Sequence, residues 1–105
     1  MFKGLDKILE LLRKNDSKAT FFLVGEILEN NPEIIDKILS GEHEIGFHTM
    51  KHTRLDSKNF QFTFKQELNQ FEKIVSRKVL GFRAPTFSLN EESSWVIDEL
   101  VNDGY

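Results

Sequence analysis

The feature that most constrains how this chain can fold is an unbroken apolar run, Phe21 to Val24, that is closed by Gly25. A run of this kind, "ATFFLVG", is typical of a strand buried on both faces, as the strands of a parallel sheet are. The segment before it carries apolar residues at helical spacing, which predicts a helix that ends near Asn15. The residues of this apolar face are Phe2, Leu5, Ile8, Leu9 and Leu12.

A second helix and a second strand follow. The segment "EILENNPEIIDKILSG" predicts a short helical turn and then a longer helix, with Asn31 as its cap and Gly41 as its stop. Pro32 suits the first position of that helix, because the N–H that it lacks would have no helical partner there. The segment "HEIGFH", which starts at His43, then predicts a second short strand.

The alternation continues to the end of the chain. The segment "TFKQELNQFEKIVSR" predicts a helix that opens with a capping box from Thr63 to Gln66. Next, "VLGF" predicts a third strand, and "NEESSWVIDELVNDG" predicts a final helix that is capped by Asn90 and ended by Gly104. The first of these two helices carries one apolar stripe, formed by Phe64, Leu68, Phe71 and Val75.

Alternating helices and strands are the pattern of an α/β fold made of parallel βαβ units with right-handed crossovers. The chain has 105 residues, so residues 1–105 are expected to form a single domain. Its net charge of -3 at pH 7, without a basic block, argues against nucleic-acid binding. The absence of cysteine excludes disulfides and thiolate metal ligands.

The sequence also predicts no membrane segment and no secretion signal. The longest apolar run, Phe21 to Val24, is far too short to span a bilayer. The N-terminal stretch "MFKGLDKILELLRKND" is an amphipathic helix of mixed charge rather than a signal peptide. A cytoplasmic location is therefore the default expectation.

Three predicted strands are each followed by polar or glycine residues. Gly25 and Glu26 follow the first strand, His48 follows the second and Arg83 follows the third. In parallel α/β sheets, ligands bind at the carboxyl ends of the strands, where the loops converge. The sequence therefore predicts a site at this rim of the sheet.

His48 and His52, in "GFHTMKHT", are the candidate metal ligands at that rim. Histidines four residues apart lie on one face of a helical turn and can share one tetrahedral ion. Two ligands are too few for a tight zinc site, so two ordinary surface histidines are the alternative interpretation. His43 begins the second strand and is interpreted as a partly buried residue that is hydrogen-bonded to the backbone.

The segment "GFRAPTFS" follows the third strand. Pro85 stiffens the backbone beside Arg83, and a fixed guanidinium suits a carboxylate partner or an anionic substrate. A surface arginine that pairs with any nearby acid is the alternative interpretation.

Taken together, these segments resemble the polysaccharide deacetylase family from about Leu5 to Tyr105. The resemblance rests on the ordered series of a Thr-Phe-Phe strand, the histidine motif and the Arg-x-Pro segment. It implies a distorted, incomplete (β/α) barrel and metal-dependent hydrolysis of N- or O-acetyl groups on a glycan. It also implies that His48 and His52 bind a divalent ion, usually zinc, together with an aspartate.

The resemblance further implies roles for the Arg-x-Pro segment, which lines one wall of the family's substrate groove. Arg83 matches the arginine that orients the aspartate general base. Thr86 matches the position whose backbone N–H stabilises the oxyanion. Pro85 and Phe87 fall on the groove wall and are expected to contact substrate.

The chain departs from the family in one important respect. The family's first motif, a "TFDDG"-like strand, supplies both the base and the metal-binding aspartate. In this sequence Asp6 and Asp16 lie on or beyond the first helix, without the neighbours of that motif. The later motifs of the family are missing as well. We therefore expect a partial deacetylase domain that is weak or inactive alone.

Two alternatives remain open from the sequence. The chain could be one half of a split enzyme, or a non-catalytic α/β module that binds a glycan or another partner. A few βα units of a barrel would also leave sheet edges unpaired, and such edges favour self-association.

Overall fold

A computed structural model describes residues 3–105 of the chain. The expectation for Phe2 lies outside these residues. The elements are helix α1 (Lys3–Lys14), strand β1 (Thr20–Leu23), helices α2 (Gly25–Asn30) and α3 (Glu33–Ser40), strand β2 (Glu44–Phe47), helix α4 (Phe60–Val75), 3-10 turns at Pro85–Phe87 and Glu91–Ser93, and helix α5 (Trp95–Asn102). None of the helices between residues 3 and 105 has the length and apolar character that a membrane crossing requires.

The sheet consists of β1 and β2, which pair in parallel with Thr20 opposite Glu44. The predicted third strand is reduced to a single bridge between Phe47 and Phe82. Two hydrogen bonds hold it: the Phe47 N–H donates to the Gly81 carbonyl at 2.8 Å, and the Arg83 N–H donates to the Phe47 carbonyl at 3.0 Å. The predicted strand was therefore too long. Among residues 3–105 this segment has one neighbouring strand, β2, and it pairs with that strand at a single bridge.

The two strands differ in how deeply they are buried. Thr20 is exposed and the rest of β1 is half-buried, so the prediction that this strand is buried on both faces was wrong. The last three residues of β2 are buried instead. The reason is position: β2 lies between β1 and the Phe82 segment, whereas β1 has one neighbouring strand among residues 3–105.

The core is built on Phe47 of β2. Its ring lies 4.9 Å from the ring of Phe71 and 5.8 Å from those of Phe64 and Phe82, measured between centroids. The predicted apolar stripe of α4 is confirmed, since each of its residues is buried. Tilted and edge-on contacts of this kind add to the stability gained by burying the rings. The core therefore lies between β2 and α4, directly beneath the carboxyl ends of the strands.

Two predicted helix starts were wrong. Helix α3 begins at Glu33 with Pro32 as its N-cap residue, and the Asn31 side chain donates to the Ile27 carbonyl of α2 instead of capping α3. Helix α4 begins at Phe60 rather than Thr63, whose hydroxyl donates to the Phe60 carbonyl. Burial of Phe60 extends α4 towards its N-terminus, which places Thr63 inside the first turn.

The remaining helix ends follow the prediction. Gly41 is the C-cap residue of α3. The Asn90 side chain accepts the N–H groups of Glu92 and Ser93, so it caps the turn that leads into α5. Gly104 lies just beyond α5 with a φ of 86°, a conformation that favours glycine.

Candidate active site

The loops that follow the strands meet at one rim, as expected for a parallel sheet. The His48 N–H donates to the Leu23 carbonyl at 3.2 Å, and the Gly25 N–H donates to the Thr49 carbonyl at 2.9 Å. The bond from the Arg83 N–H to Phe47 attaches the third loop to the same end of β2. Backbone hydrogen bonds therefore bring together the loops that carry the candidate residues.

Gly25 permits the close approach of two of these loops. A Cβ atom at this position would lie 2.1 Å from the sulfur of Met50 and 3.2 Å from the ring of Phe71. Both of these side chains are buried. A larger residue at Gly25 would therefore push the loop after β2 away from β1.

The two candidate metal ligands lie side by side. The ring centroids of His48 and His52 are 4.8 Å apart, with an angle of 68° between the ring planes. The segment between them is not a helical turn, so the helical geometry expected from their spacing was wrong. Instead, Thr49 and His52 adopt positive φ angles of 65° and 57°, and the buried Thr49 hydroxyl accepts the Thr53 N–H at 3.1 Å. These contacts curl the loop and bring the imidazoles together.

A backbone carbonyl fixes the orientation of the first imidazole. The Nδ1 atom of His48 lies 2.6 Å from the carbonyl oxygen of Arg83. Because a carbonyl oxygen can only accept, Nδ1 is the donor in this contact, and the tautomer of the neutral imidazole that fits it has its lone pair on Nε2. Metal-binding histidines are commonly held in this way, with the second nitrogen donating to a carbonyl. His48 is half-buried, whereas His52 is exposed.

The two histidines fit part of a zinc site. Both present imidazole nitrogen, a preferred ligand of zinc, but among residues 3–105 no group of three histidine, aspartate or glutamate side chains is arranged to hold an ion. Asp6 pairs with Lys37 at 2.9 Å, and Asp16 borders a cavity near the amino ends of the strands, at the end opposite to the rim. Glu26 lies at the rim with an exposed side chain. The residues present thus supply two ligands of a site that needs at least three.

The Arg-x-Pro segment forms the other side of the rim. Arg83 is exposed, and its guanidinium forms no ion pair with the residues between positions 3 and 105. Pro85 is fully buried, so it shapes the loop from below. Phe87 projects outward with 92% of its surface exposed. The segment therefore presents one free cation and one exposed aromatic ring beside the histidines.

Thr86 lies at the tip of this segment in a left-handed conformation. Its φ is 55°, and that of Phe87 is 53°. The Thr86 N–H donates to no acceptor within residues 3–105. An exposed N–H without a partner can donate to a ligand.

Sequence reasoning did not identify Arg54 as part of the rim. Its Nη1 atom donates to the Thr86 carbonyl at 3.4 Å, and its Nε and Nη2 atoms each donate to the Asp56 carboxylate at 2.9 Å. Hydrogen bonding by Arg54 lowers the pKa of Asp56 from its usual value. The Arg-x-Asp spacing was the available signal, and it is too common to identify such a contact.

A polar groove of about 530 Å³ runs beside the rim between α2 and α4. Glu67, on its α4 side, accepts the Met50 N–H at 3.3 Å. Burial raises the pKa of Glu67 above its usual range, although this hydrogen bond acts in the opposite direction. Glu67 therefore connects α4 to the loop that carries the histidines.

Comparisons with known proteins agree on one family. The sequence profile described as polysaccharide deacetylase matches residues 3–103. A peptidoglycan-N-acetylglucosamine deacetylase of Bacillus cereus is 38% identical over 81 residues, which are 77% of this chain and 28% of that protein. The chain thus spans less than half the length of this curated relative.

Solved structures show the same likeness. A candidate polysaccharide deacetylase from Mycobacterium smegmatis is 25% identical with a TM-score of 0.85, over 99% of this chain and 36% of that one. A pseudoenzyme of the CE4 family from Bacillus anthracis is 28% identical with a TM-score of 0.78, over 91% of this chain and 36% of that one.

Proposed function

Because the chain belongs to the polysaccharide deacetylase family, we propose that it carries two metal ligands and the oxyanion loop of a deacetylase that acts on an acetylated glycan. One observation carries this proposal: the contact of 2.6 Å between His48 Nδ1 and the Arg83 carbonyl. It joins the histidine loop directly to the Arg-x-Pro loop and holds the first imidazole ready to bind an ion. The histidine loop and the Arg-x-Pro loop therefore hold each other in place.

The (β/α) barrel is part of the same proposal. The parallel pairing of β1 and β2 and the parallel bridge to Phe82 are what adjacent strands of such a barrel require. The chain covers 36% of each of the two solved structures described above. We take its sheet as a segment of the distorted barrel, with the site at the carboxyl ends of the strands.

His48 and His52 would hold a divalent ion, for which zinc is the best candidate. When bound, such an ion polarises the acetyl carbonyl and activates water. His48 would use Nε2, since Nδ1 donates to Arg83. A carboxylate from outside the described residues would complete the site and supply the general base.

The Arg-x-Pro segment would act on the substrate side. The unpaired Thr86 N–H would donate to the acetyl oxygen as negative charge develops on it, which favours the transition state over the ground state. The exposed guanidinium of Arg83 would orient the carboxylate base. Phe87 would provide an apolar surface for a sugar ring. Buried Pro85 would contribute by shaping the loop rather than by wide contact with substrate.

The substrate class proposed is a glycan that bears N-acetyl groups. The Bacillus cereus relative is named as a peptidoglycan-N-acetylglucosamine deacetylase, which supports an N-acetylated sugar polymer over an O-acetylated one. The exposed rim is open to solvent along the Phe87 loop, as a polymeric substrate requires.

A second candidate function is a non-catalytic glycan-binding member of the family. Two observations favour it: no third metal ligand accompanies the histidines among residues 3–105, and one similar structure is that of a pseudoenzyme. In this case the same rim would bind the glycan without hydrolysing it.

The test of the metal site is a zinc titration by calorimetry. The wild-type chain is expected to bind one zinc ion weakly, and the His48→Ala and His52→Ala variants are expected to lose this binding. His43→Asn is the matched control, because the asparagine oxygen can replace the buried His43 Nδ1 that accepts the Ala19 N–H at 3.1 Å. Identical isotherms for wild type and both alanine variants would rule out a metal site at the rim.

The two candidate functions are separated by acetate release from N-acetylglucosamine oligomers in the presence of zinc. We expect no measurable release from the 105-residue chain alone, because a missing general base costs roughly 10²–10⁴-fold in rate. Release that appears when an aspartate-bearing strand of the family is joined to the chain or added as a peptide supports the deacetylase. Oligomer binding without release under every condition supports the non-catalytic module.

A further inference from the structure

A buried hydroxyl connects the two loops of the proposed site. Ser88 has no exposed surface, and its Oγ donates to the Pro85 carbonyl at 2.6 Å. The same oxygen accepts the Leu55 N–H at 2.8 Å. Leu55 follows His52 on the histidine loop, so the Ser88 hydroxyl links that loop to the Arg-x-Pro segment.

This contact also sets the direction of one particular N–H group. The Pro85 carbonyl and the Thr86 N–H belong to the same trans peptide unit, in which the two groups point in opposite directions. Two donors from Ser88, its hydroxyl and its backbone N–H at 3.0 Å, hold the Pro85 carbonyl on the buried side. The Thr86 N–H is therefore directed away from the core.

The conformation that results needs support. Thr86 and Phe87 are consecutive left-handed residues, and neither is a glycine. A β-branched residue is strained in this region, so the conformation persists only where surrounding contacts enforce it. Those contacts are the two Ser88 bonds to the Pro85 carbonyl and the bond from Arg54 to the Thr86 carbonyl.

We propose that Ser88 is a positioning residue, whose buried hydroxyl holds the Pro85–Thr86 peptide with its N–H facing the site. This inference rests on the proposed role of the Thr86 N–H as the donor to the oxyanion. A hydroxyl that served only to satisfy the Leu55 N–H would support the stability of the fold without determining the direction of the Thr86 N–H.

The matched pair of variants is Ser88→Ala and Ser93→Ala. Both remove a fully buried serine hydroxyl, and both are expected to lower the stability of the chain. Only Ser88→Ala removes a donor to the Pro85 carbonyl. Ser88→Thr restores a hydroxyl at the same position and serves as the rescue variant.

The first measurement is NMR of the 105-residue chain, with residual dipolar couplings of backbone N–H groups and the three-bond coupling of Thr86. In Ser88→Ala the couplings of Thr86 and Phe87 are expected to change. The couplings of α4 are expected to stay as in wild type, which would show that the variant is folded. In Ser93→Ala and Ser88→Thr the Thr86 values are expected to stay close to wild type. Unchanged Thr86 values in a folded Ser88→Ala chain would overturn the inference, as would an equal change in Ser93→Ala.

The second measurement is kinetic and uses the preparation that shows zinc-dependent acetate release. Loss of one oxyanion donor costs about 10²–10³-fold in kcat, so Ser88→Ala is expected to lower kcat by up to this factor with little change in KM. A KM effect with unchanged kcat would contradict the positioning role. If no preparation releases acetate, the proposed deacetylase activity fails, and the NMR result still decides whether Ser88 directs the Thr86 N–H.

Discussion

Four of the eight non-glycine residues with positive φ between positions 3 and 105 lie on the two loops of the proposed site. Thr49 and His52 on one loop, and Thr86 and Phe87 on the other, all have φ angles between 53° and 65°. A left-handed conformation costs a residue other than glycine roughly 1–2 kcal/mol. The rest of the fold must offset this cost, and such outliers cluster at functional sites because they orient particular groups. The unpaired Thr86 N–H and the paired imidazoles are the groups oriented here.

Glu67 provides a prediction at the scale of one residue. Burial raises the pKa of Glu67 in the folded chain above the ordinary glutamate value of 4.5. At a pH between these two pKa values, the carboxyl group is protonated in the folded chain and ionised in the unfolded chain. The stability contribution of Glu67 therefore falls as the pH rises from about 4.5 through the folded pKa. Glu67→Gln keeps an oxygen that can accept the Met50 N–H and removes the charge. We expect this variant to be more stable than wild type at pH 7, with a smaller difference at pH 4.

The measurement is urea unfolding of both proteins at several pH values between 4 and 7. Glu29→Gln is the control for loss of a negative charge, because Glu29 lines the same groove with an exposed side chain. Parallel stability curves for wild type and Glu67→Gln would show that burial of Glu67 has no energetic effect.

At the scale of elements, the helices differ in what holds them in place. Helix α4 buries a full apolar stripe, of which Phe64 and Phe71 contact Phe47 of β2, whereas α1 contains no buried residue. Partly buried Leu5 links α1 to the core, and the ion pair between Asp6 and Lys37 joins it to α3. Exposed ion pairs stabilise weakly, so α1 is expected to open more readily than α4.

The turn before α5 provides the prediction for this scale. The Asn90 side chain accepts two backbone N–H groups, and the Ser93 hydroxyl accepts the Asn90 N–H in return. Replacing such a cap by alanine typically costs about 1 kcal/mol, within a range of roughly 0.5–2 kcal/mol. We expect Asn90→Ala to lower the free energy of unfolding by this amount, as measured by urea denaturation.

Ser94→Ala is the matched control for the cap. Ser94 lies four residues beyond Asn90, is exposed, and donates its hydroxyl only to the Glu91 carbonyl. Its loss is expected to change the unfolding free energy little. If the two variants were equally stable, the capping bonds of Asn90 would contribute nothing measurable.

At the scale of the whole molecule, the described residues include a strand edge without a paired neighbour and several exposed apolar side chains. No strand among residues 3–105 pairs with the outer edge of β1. Leu80, Ile97 and Val101 are large apolar side chains that remain exposed at and near α5. Free strand edges and apolar surface both favour association with other chains.

We therefore predict that the 105-residue chain self-associates, and that the β1 edge contributes. The Glu44 N–H donates to the Ala19 carbonyl, and the His48 N–H donates to the Leu23 carbonyl. In β1, therefore, the backbone N–H and C=O groups of odd-numbered residues point towards β2, and those of even-numbered residues point away from it. The Thr20 N–H thus faces outward, and Thr20→Pro removes it without breaking the sheet. Analytical ultracentrifugation is expected to show weaker association for this variant than for wild type.

Thr20→Val is the control, because it keeps the outward N–H and removes only the side-chain hydroxyl that donates to Glu44. It is expected to associate as wild type does. Monomeric wild-type chain across the concentration range, or equal association of all three proteins, would contradict a role for this edge.

Local patterns in the sequence were sufficient for the α/β class, for the order of the helices and strands, and for several single contacts. The stripe on α4, the Asn90 cap and the backbone bond of buried His43 were all predicted correctly. Each depends on neighbours a few residues away or on a strong periodicity, which the sequence displays directly. The family resemblance was confirmed by the match over residues 3–103.

Long-range packing decided the rest. Burial of Phe60 starts α4 three residues before Thr63, so the predicted capping box does not form the helix start. The predicted third strand is a single bridge, because it pairs with β2 on one side only. The histidine pair was predicted, but its geometry comes from left-handed residues and from the Arg83 carbonyl, 35 residues away in sequence. The buried Ser88 likewise gains its importance from Leu55, on another loop. Spacing along a chain identifies side chains that can share a site, whereas their orientation depends on backbone contacts that form only when distant loops pack together.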